Sequence, residues 1–317
     1  MKVIVLLSTF NGEKFLCDQV ASIAKQSFHN WELLIRDDGS TDSTPELLRK
    51  LSSGCSGYIK IKQDGLGNIG PIASFSRLVK DTEADYFFFC DQDDVWLPDK
   101  IDRTLAAMRV AEDRFGANTP ILVHTDLCVV DRDLQLIAPS FWEYQNLNPC
   151  LGSSLNRVLP QNCVTGCTVM VNRPLAELAV PIPKNAIMHD WWLALVASLF
   201  GQVVCLQDST ILYRQHGTNS LGAHQWGLKR VIVSMRQSQE VRSSMLRTML
   251  QAQVLLDSYR AKMTSTQIAM VEAYATLPFM TKKARITAVL KYKFFKHGII
   301  RTIGFLSNLL MLRRLKR

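Results

Sequence analysis

The sequence predicts an α/β fold, a mixed and mostly parallel sheet with helices on both faces, followed by a helical C-terminal extension that is strongly basic. Three observations carry this. Short apolar runs alternate with helix-period patterns from the first residue, polar clusters stand at the ends of those runs, and strand signals stop near residue 225.

Val3 to Leu7 reads as a buried strand, and Leu16, Val20 and Ile23 at i, i+4 and i+7 mark the helix after it. Trp31 to Ile35 is the next strand, stopped by Arg36-Asp37-Asp38-Gly39-Ser40. Thr44 before Pro45, with Leu47, Leu48 and Leu51 behind, supplies the N-cap and first-turn proline of a second helix. Ile59 to Ile61 is a weak third strand, a helix from about Ile72 to Val79 follows the Gly65 to Gly70 loop, and Tyr86 to Cys90 is a strong fourth strand ending in acids. A βαβαβαβ order implies right-handed crossovers, with ligands collecting beyond the carboxyl ends of the strands. In the second half Ile121 to Thr125, Thr168 to Val171, Val203 to Leu206 and Thr210 to Tyr213 read as strands, with a helix near Trp191 to Phe200. Residues 228 to 275 read as helical. The expected division is residues 1–224 and 225–317.

Composition narrows the function. The chain has 317 residues, 47% apolar and 21% charged, enough for a large core and against disorder. Its net charge is +9, but residues 282 to 317 hold eleven Lys or Arg and no acid, leaving 26 bases against 28 acids, or −2, in the rest. That placement argues against a surface built throughout for nucleic acid. The tail interleaves its bases with Ile286, Val289, Leu290, Phe294, Ile299 and Ile303, a basic amphipathic pattern suited to the anionic inner face of a bacterial membrane. Packing of the same segment on the body through its apolar side is the competing expectation. Eight cysteines without a C-x-x-C pair suggest neither zinc nor a disulfide framework. Met1 to Leu7 reads as a strand rather than a signal peptide, and no apolar run approaches a membrane span. The expected place of work is a reducing cytoplasm, peripheral to the membrane.

The chemistry gathers at three strand ends: Ser8-Thr9-Phe10-Asn11, Asp37-Asp38-Gly39-Ser40 and Asp91-Gln92-Asp93-Asp94. Three carboxylates in four residues repel one another unless a cation or proton holds them. Mg²⁺ or Mn²⁺ solves this, since each takes one or two carboxylates from the protein and fills its other positions with water and substrate phosphates. Simple capping of a turn is the alternative. A carboxylate from the Asp37-Asp38 pair, with Asp38 the candidate, would accept the imide N–H of a uracil or thymine. Thr9 and Asn11 would make neutral contacts to base or ribose, and the glycine loop at Asn68 would let backbone approach a ligand.

Ser8-Thr9-Phe10-Asn11-Gly12, Arg36-Asp37-Asp38-Gly39-Ser40-Thr41-Asp42, Asn68-Ile69-Gly70 and Asp91-Gln92-Asp93-Asp94-Val95-Trp96 resemble, in order, the motifs of the family 2 glycosyltransferases of GT-A fold. The resemblance covers roughly residues 1 to 220. The last motif is similar to the branch containing bacterial rhamnosyltransferases of polysaccharide and O-antigen synthesis. It implies an inverting enzyme with a donor nucleotide held by Thr9, Asn11, Asp38, Asn68 and Asp91, and a metal on Asp93. Met188-His189-Asp190-Trp191-Trp192 resembles the family's catalytic position, making Asp190 the general base, expected to be kept ionised by its helix N-terminus. Trp191 and Trp192, with Thr165 and Gly166, fall on the acceptor side. Leu212 to Asn219 resembles the R-Q-H-x-x-N segment of this branch, so Arg214 or His216 would support the diphosphate or the metal. The donor is left between dTDP-L-rhamnose, toward which the resemblance leans, and a UDP-sugar. The acceptor is expected to be a lipid-linked saccharide. Two rivals are a sugar-nucleotide pyrophosphorylase, for which Thr9-Phe10-Asn11-Gly12-Glu13 is the wrong phosphate loop, and a nucleic-acid binder, which leaves the acidic rim unexplained.

Overall fold

The computed structural model describes residues 1–54, 58–150, 153–216 and 238–315. Its strands are β1 (Val3–Thr9), β2 (Trp31–Asp37), β3 (Ile59–Lys62), β4 (Tyr86–Cys90), β5 (Val95–Trp96), β6 (Ile121–Val130), β7 (Leu136–Ala138), β8 (Met170–Asn172) and β9 (Gln202–Arg214). Its helices are α1 (Leu16–Ala24), α2 (Thr44–Gly54), α3 (Pro71–Lys80), α4 (Lys100–Phe115), the single turns α5 (Phe141–Tyr144) and α6 (Leu155–Val158), α7 (Arg173–Ala179), α8 (His189–Phe200), α9 (Ser238–Tyr259), α10 (Ser265–Ala275), α11 (Lys282–Tyr292) and α12 (Ile299–Met311).

The strands form one sheet in the order β3-β2-β1-β4-β8-β6-β9-β5, with β7 on β6. The first four run parallel, β8 is antiparallel to both β4 and β6, and β6 pairs β9 in parallel. The expected mixed, mostly parallel sheet is therefore present. Strand registers set Thr9 beside Asp37 and Leu7 beside Cys90, so the polar clusters that follow β1, β2 and β4 share one edge. Val5, Leu6, Leu7, Phe88 and Phe89 are wholly buried, as a sheet covered on both faces requires.

Two differences from the sequence reading bear on the site. The expected strands at 203–206 and 210–213 are one strand, because β6 follows β9 through register shifts at Thr125/Asp126 and Asp126/Cys128 that absorb the polar Gln207-Asp208 pair. The reading also passed over α4, whose Ile101, Leu105, Met108 and Ala111 form a buried helical stripe.

The chain divides into two compact units. The first contains Met1–Phe141, Val164–Lys184 and the chain from Met188 through β9; the second contains Trp142–Cys163, Asn185–Ile187 and the C-terminal helices. The expected boundary at 224/225 and the expected helix over 228–237 lie outside the described residues. Within the second unit, Arg285 is buried and donates to the carbonyls of Leu277, Pro278, Leu309 and Leu312, tying α11 to the end of α12. No helix among the described residues is long and apolar enough to cross a membrane.

In the first unit one buried ion cluster fixes the end of β2. Arg36, with none of its surface exposed, pairs with Asp38 and with Asp64 at 2.9 Å, and donates to the Gly67 carbonyl at 2.9 Å. Hydrogen bonding to Arg36 holds the Asp64 carboxyl below its ordinary range. Removing one partner of such a cluster strands the others, so Arg36→Met should lower stability by about 3–5 kcal/mol, read as a lower urea midpoint.

Candidate functional site

The rim begins with a latch between β1 and the acidic loop after β4. Gln92 Oε1 accepts from Thr9 Oγ1 at 2.6 Å and from the Phe10 N–H at 2.8 Å, while its Nε2 donates to the Phe10 carbonyl at 3.1 Å. Thr9 is fully buried, so its hydroxyl positions the loop; this corrects its expected contact with base or ribose. Asn11 adopts a left-handed φ of 51° and accepts the Thr41 N–H at 2.8 Å on its Oδ1, which joins the first two rim segments.

Asp38 is also corrected. Its carboxylate takes Arg36 and the N–H groups of Ile69 and Gly70, at 2.9 and 2.8 Å, and is only 3% exposed. It closes the glycine loop onto β2, and its oxygens are taken up by protein donors. Asp37 is the half-buried carboxylate left at the rim, accepting from Ser40 Oγ at 2.5 Å. It lines a groove of about 320 Å³ with Gly39, Gly65, Gly67, Pro45 and Arg49. Gly39, at φ +79°, leaves a Cβ only 2.8 Å from the Asn68 nitrogen, so the turn and the exposed Asn68 loop close tightly only with glycine there.

The acidic loop is held on its other side by the end of β9. The antiparallel pairing of Val95 with Leu212 and Trp96 with Ile211, continued, sets Asp93 opposite Arg214. Arg214 is 3% exposed and donates to the Asp93 carbonyl at 3.0 Å, the Arg132 carbonyl at 2.8 Å and Asp18 at 2.9 Å. Its N–H reaches Asp94 at 3.2 Å. Arg214 is thus a clamp on the loop, which corrects its expected diphosphate contact. His216 Nε2 lies 2.7 Å from Asp93 Oδ2, with its ring 4.7 Å from that of Phe15. The remainder of the expected motif, residues 217–219, lies outside the described residues.

Negative charge is concentrated here. Loss of hydration, then Asp93 and Asp190, push Asp91 up to about 7. Burial, then Asp93 and Asp91, push Asp94 well above its ordinary range. One ligand atom from each of Asp91, Asp94 and Cys167 lies within 4.8 Å of the others, and Asp94 Oδ2 is buried without a hydrogen-bond partner among the described residues. Asp91 and Asp94 bring carboxylate oxygens together there with the Cys167 thiol beside them, and carboxylate oxygens are the ligands that a hard divalent cation prefers. Lys100, fully buried, is the residue that the sequence reading missed. Its Nζ sits 4.8 Å over the Trp96 ring and 3.4 Å from Thr210 Oγ1, and burial lowers it to about 8 while Asp94 and the two buried thiols oppose that. In sequence, Pro98-Asp99-Lys100 reads as an ordinary helix start.

Asp190 stands in the first turn of α8, with 8% of its surface exposed. Its Oδ1 accepts the Trp191 N–H at 2.5 Å, and the Gly166 backbone also bonds to the carboxylate. These bonds and the helix end favour the ion, as expected, but burial outweighs them and raises the carboxyl to about 7. The expectation of a depressed value is corrected accordingly. Beside it, His189 packs against Phe75 and Phe89 at 4.2 and 5.4 Å and is kept neutral by burial. A Cβ on Gly166 would come within 2.9 Å of His189 Nε2 and 3.8 Å of Asp190 Oδ2, so that loop approaches the carboxylate because it has no side chain. Thr165 and Trp191 are half-buried neighbours. Trp192 is corrected to core: it is 1% exposed and donates its indole N–H to Ala179. His124 and Asp126 are buried too, Asp126 accepting from Leu127, Phe141 and Ser140.

Comparison with known proteins bears on this arrangement. Residues 4–120 match the family described as Glycosyl transferase family 2. RfbG of Shigella flexneri, a dTDP-rhamnosyl transferase, is 27% identical over 231 residues, 69% of this chain and 74% of RfbG. WfgD of Escherichia coli, a UDP-Glc:alpha-D-GlcNAc-diphosphoundecaprenol beta-1,3-glucosyltransferase, is 25% identical over 174 residues, 55% of this chain and 61% of WfgD. Among solved structures, S. aureus TarS 1-349 in complex with UDP-GlcNAc superposes with a TM-score of 0.58 at 16% identity, over 92% of this chain and 80% of that one. With the family's model matched over residues 4–120 and a GT-A sheet running on beyond it, residues 4–120 form a family 2 glycosyltransferase domain.

Proposed function

We propose that this protein is an inverting glycosyltransferase of cell-surface polysaccharide synthesis, moving a sugar from a pyrimidine nucleoside diphosphate to a hydroxyl of a lipid-linked saccharide. The observation that carries the reading is the spatial meeting of two kinds of carboxylate. One is a converging acidic loop bracketed by Arg214 and His216; the other is a single buried carboxylate, Asp190, whose charge acts on Asp91. The likeness to RfbG supports L-rhamnose from its dTDP donor, and that to WfgD supports a polyprenyl-diphosphate-linked acceptor. A UDP-sugar donor is the second reading, since the groove at Asp37 suits uracil as well as thymine.

In this reading Asp37 accepts the imide N–H of the base, while Gly39, Gly65 and Gly67 give the ring a side-chain-free wall. Asp91, Asp93 and Asp94 would hold Mg²⁺ or Mn²⁺, which would supply positive charge beside the diphosphate. Gln92 and Arg214 keep the acidic loop in place against its own repulsion. Asp190 takes the proton from the acceptor hydroxyl as its oxygen attacks the anomeric carbon. The bond to the diphosphate breaks on the opposite face, so configuration inverts. Thr165 and Gly166 lie on the acceptor side, beside the base. A carboxyl near 7 is a far stronger base than one near 4 and is still substantially ionised at neutral pH.

The anomeric configuration of the product, read by NMR coupling, tests the reading, and retention would overturn it. Asp190→Asn should lower kcat by about 10²–10⁴ with donor affinity unchanged. The acid limb of the wild-type rate profile should fall with an apparent pKa near 7. Because the folded value of about 7 exceeds the ordinary 3.8, the stabilising protonated form is lost as pH rises between them. Asp190→Asn should therefore raise stability above neutrality by on the order of 2–4 kcal/mol, with little effect near pH 4. Asp37→Ala should weaken donor binding by roughly tenfold or more, the contribution of one charge-assisted hydrogen bond.

A further inference from the structure

The second unit shows which parts of the basic segment pack inward. Val289 and Phe294 are fully buried, as nearly are Phe305 and Leu309, and Arg285 is taken up by four carbonyls. Arg301 likewise donates to the carbonyls of Gln145 and Asn146. The tail is thus a folded part of its unit, and these two charges stabilise it internally.

Packing leaves a second apolar stripe outside. On α12, Ile299 is 79% exposed, Ile303 60% and Met311 61%, at positions i, i+4 and i+12 of one helical row, with Ile300 beside them at 49%. The buried Phe305 and Leu309 occupy the other side of the same helix. Exposed bases stand before and after it: Lys291 and Lys293 ahead, Arg313 and Arg314 behind. No acid occurs anywhere from residue 282 to the end of the chain. We infer that the outward stripe of α12, with its flanking bases, docks on an anionic lipid bilayer, lying in the interface.

Physical chemistry favours this occupant. An interfacial helix sinks its apolar row below the headgroups and leaves bases at their level, where lysine and arginine stems reach outward. At 13 residues, α12 is about 20 Å long, too short to span. A second copy seated on this face would set base against base across the contact. The inference rests on the second unit alone and stands whether or not the proposed transfer reaction does.

The test is sedimentation of the full chain with vesicles of phosphatidylcholine alone or enriched in phosphatidylglycerol. Wild type should bind the anionic vesicles, less at high salt, and ignore the neutral ones. Lys291→Gln/Lys293→Gln should bind about 30-fold more weakly, from about 1 kcal/mol per base near the surface. Ile299→Ser/Ile303→Ser should lose roughly tenfold or more, from apolar area no longer taken out of water. All four residues are exposed, so thermal melts should match wild type. Failure of wild type to bind anionic vesicles, equal binding to neutral ones, or unchanged binding by both variants would overturn the inference. So would a change of oligomeric state in the isoleucine variant with vesicle binding intact, which would make the stripe a contact between copies.

Discussion

Mutual repulsion among the carboxylates that follow β4 is the constraint around which the first unit is arranged. Asp91, Asp93 and Asp94 occupy one short loop, and two of them are driven toward their neutral forms by burial and by one another. Such a loop would open unless other contacts held it. Gln92 fastens it to β1, Arg214 fastens it to β9 through backbone and side-chain bonds, and His216 meets Asp93 directly. Lys100, buried beneath, adds a positive charge where water cannot reach. The loop is therefore held closed against its own repulsion, which a divalent cation would relieve.

The second carboxylate site works by a different balance. Asp190 has backbone donors and a helix N-terminus that favour its ionised form, yet loss of hydration dominates. The difference matters for chemistry, since a carboxylate stabilised only by donors would be a weak base. Gly166 makes this environment possible by letting the loop before β8 close over Asp190 and His189 without a side chain. Stability is sacrificed locally for basicity, a trade commonly found where proteins bind and transform ligands.

Much of this was legible in the sequence because it follows from strand periodicity. Alternating apolar runs located β1, β2 and β4 within two residues, and strand-end logic brought Thr9, Asp37 and Asp91 to one edge. What stayed hidden depends on partners remote in the chain. Asp38 looked like the outward member of its pair until Arg36, from the same strand, and the glycine loop some 30 residues on took up its oxygens. Arg214 looked like a ligand contact, but pairing of β5 with β9 turned it into a clamp. Lys100 carried no signal at all, since its burial follows from how α4 packs and not from its neighbours in sequence. The pKa of Asp190 was misjudged for a related reason: helix position is local, burial is not.

The central claim is that the acidic loop is a metal-dependent diphosphate site. Calorimetric titration with dTDP-L-rhamnose and UDP-sugars, with and without Mn²⁺ or Mg²⁺, repeated on Asp93→Ala, tests it most directly. The expected result is binding that requires the metal and is lost in the variant while its fold is retained. Equal binding without metal, or full binding by Asp93→Ala, would contradict the account.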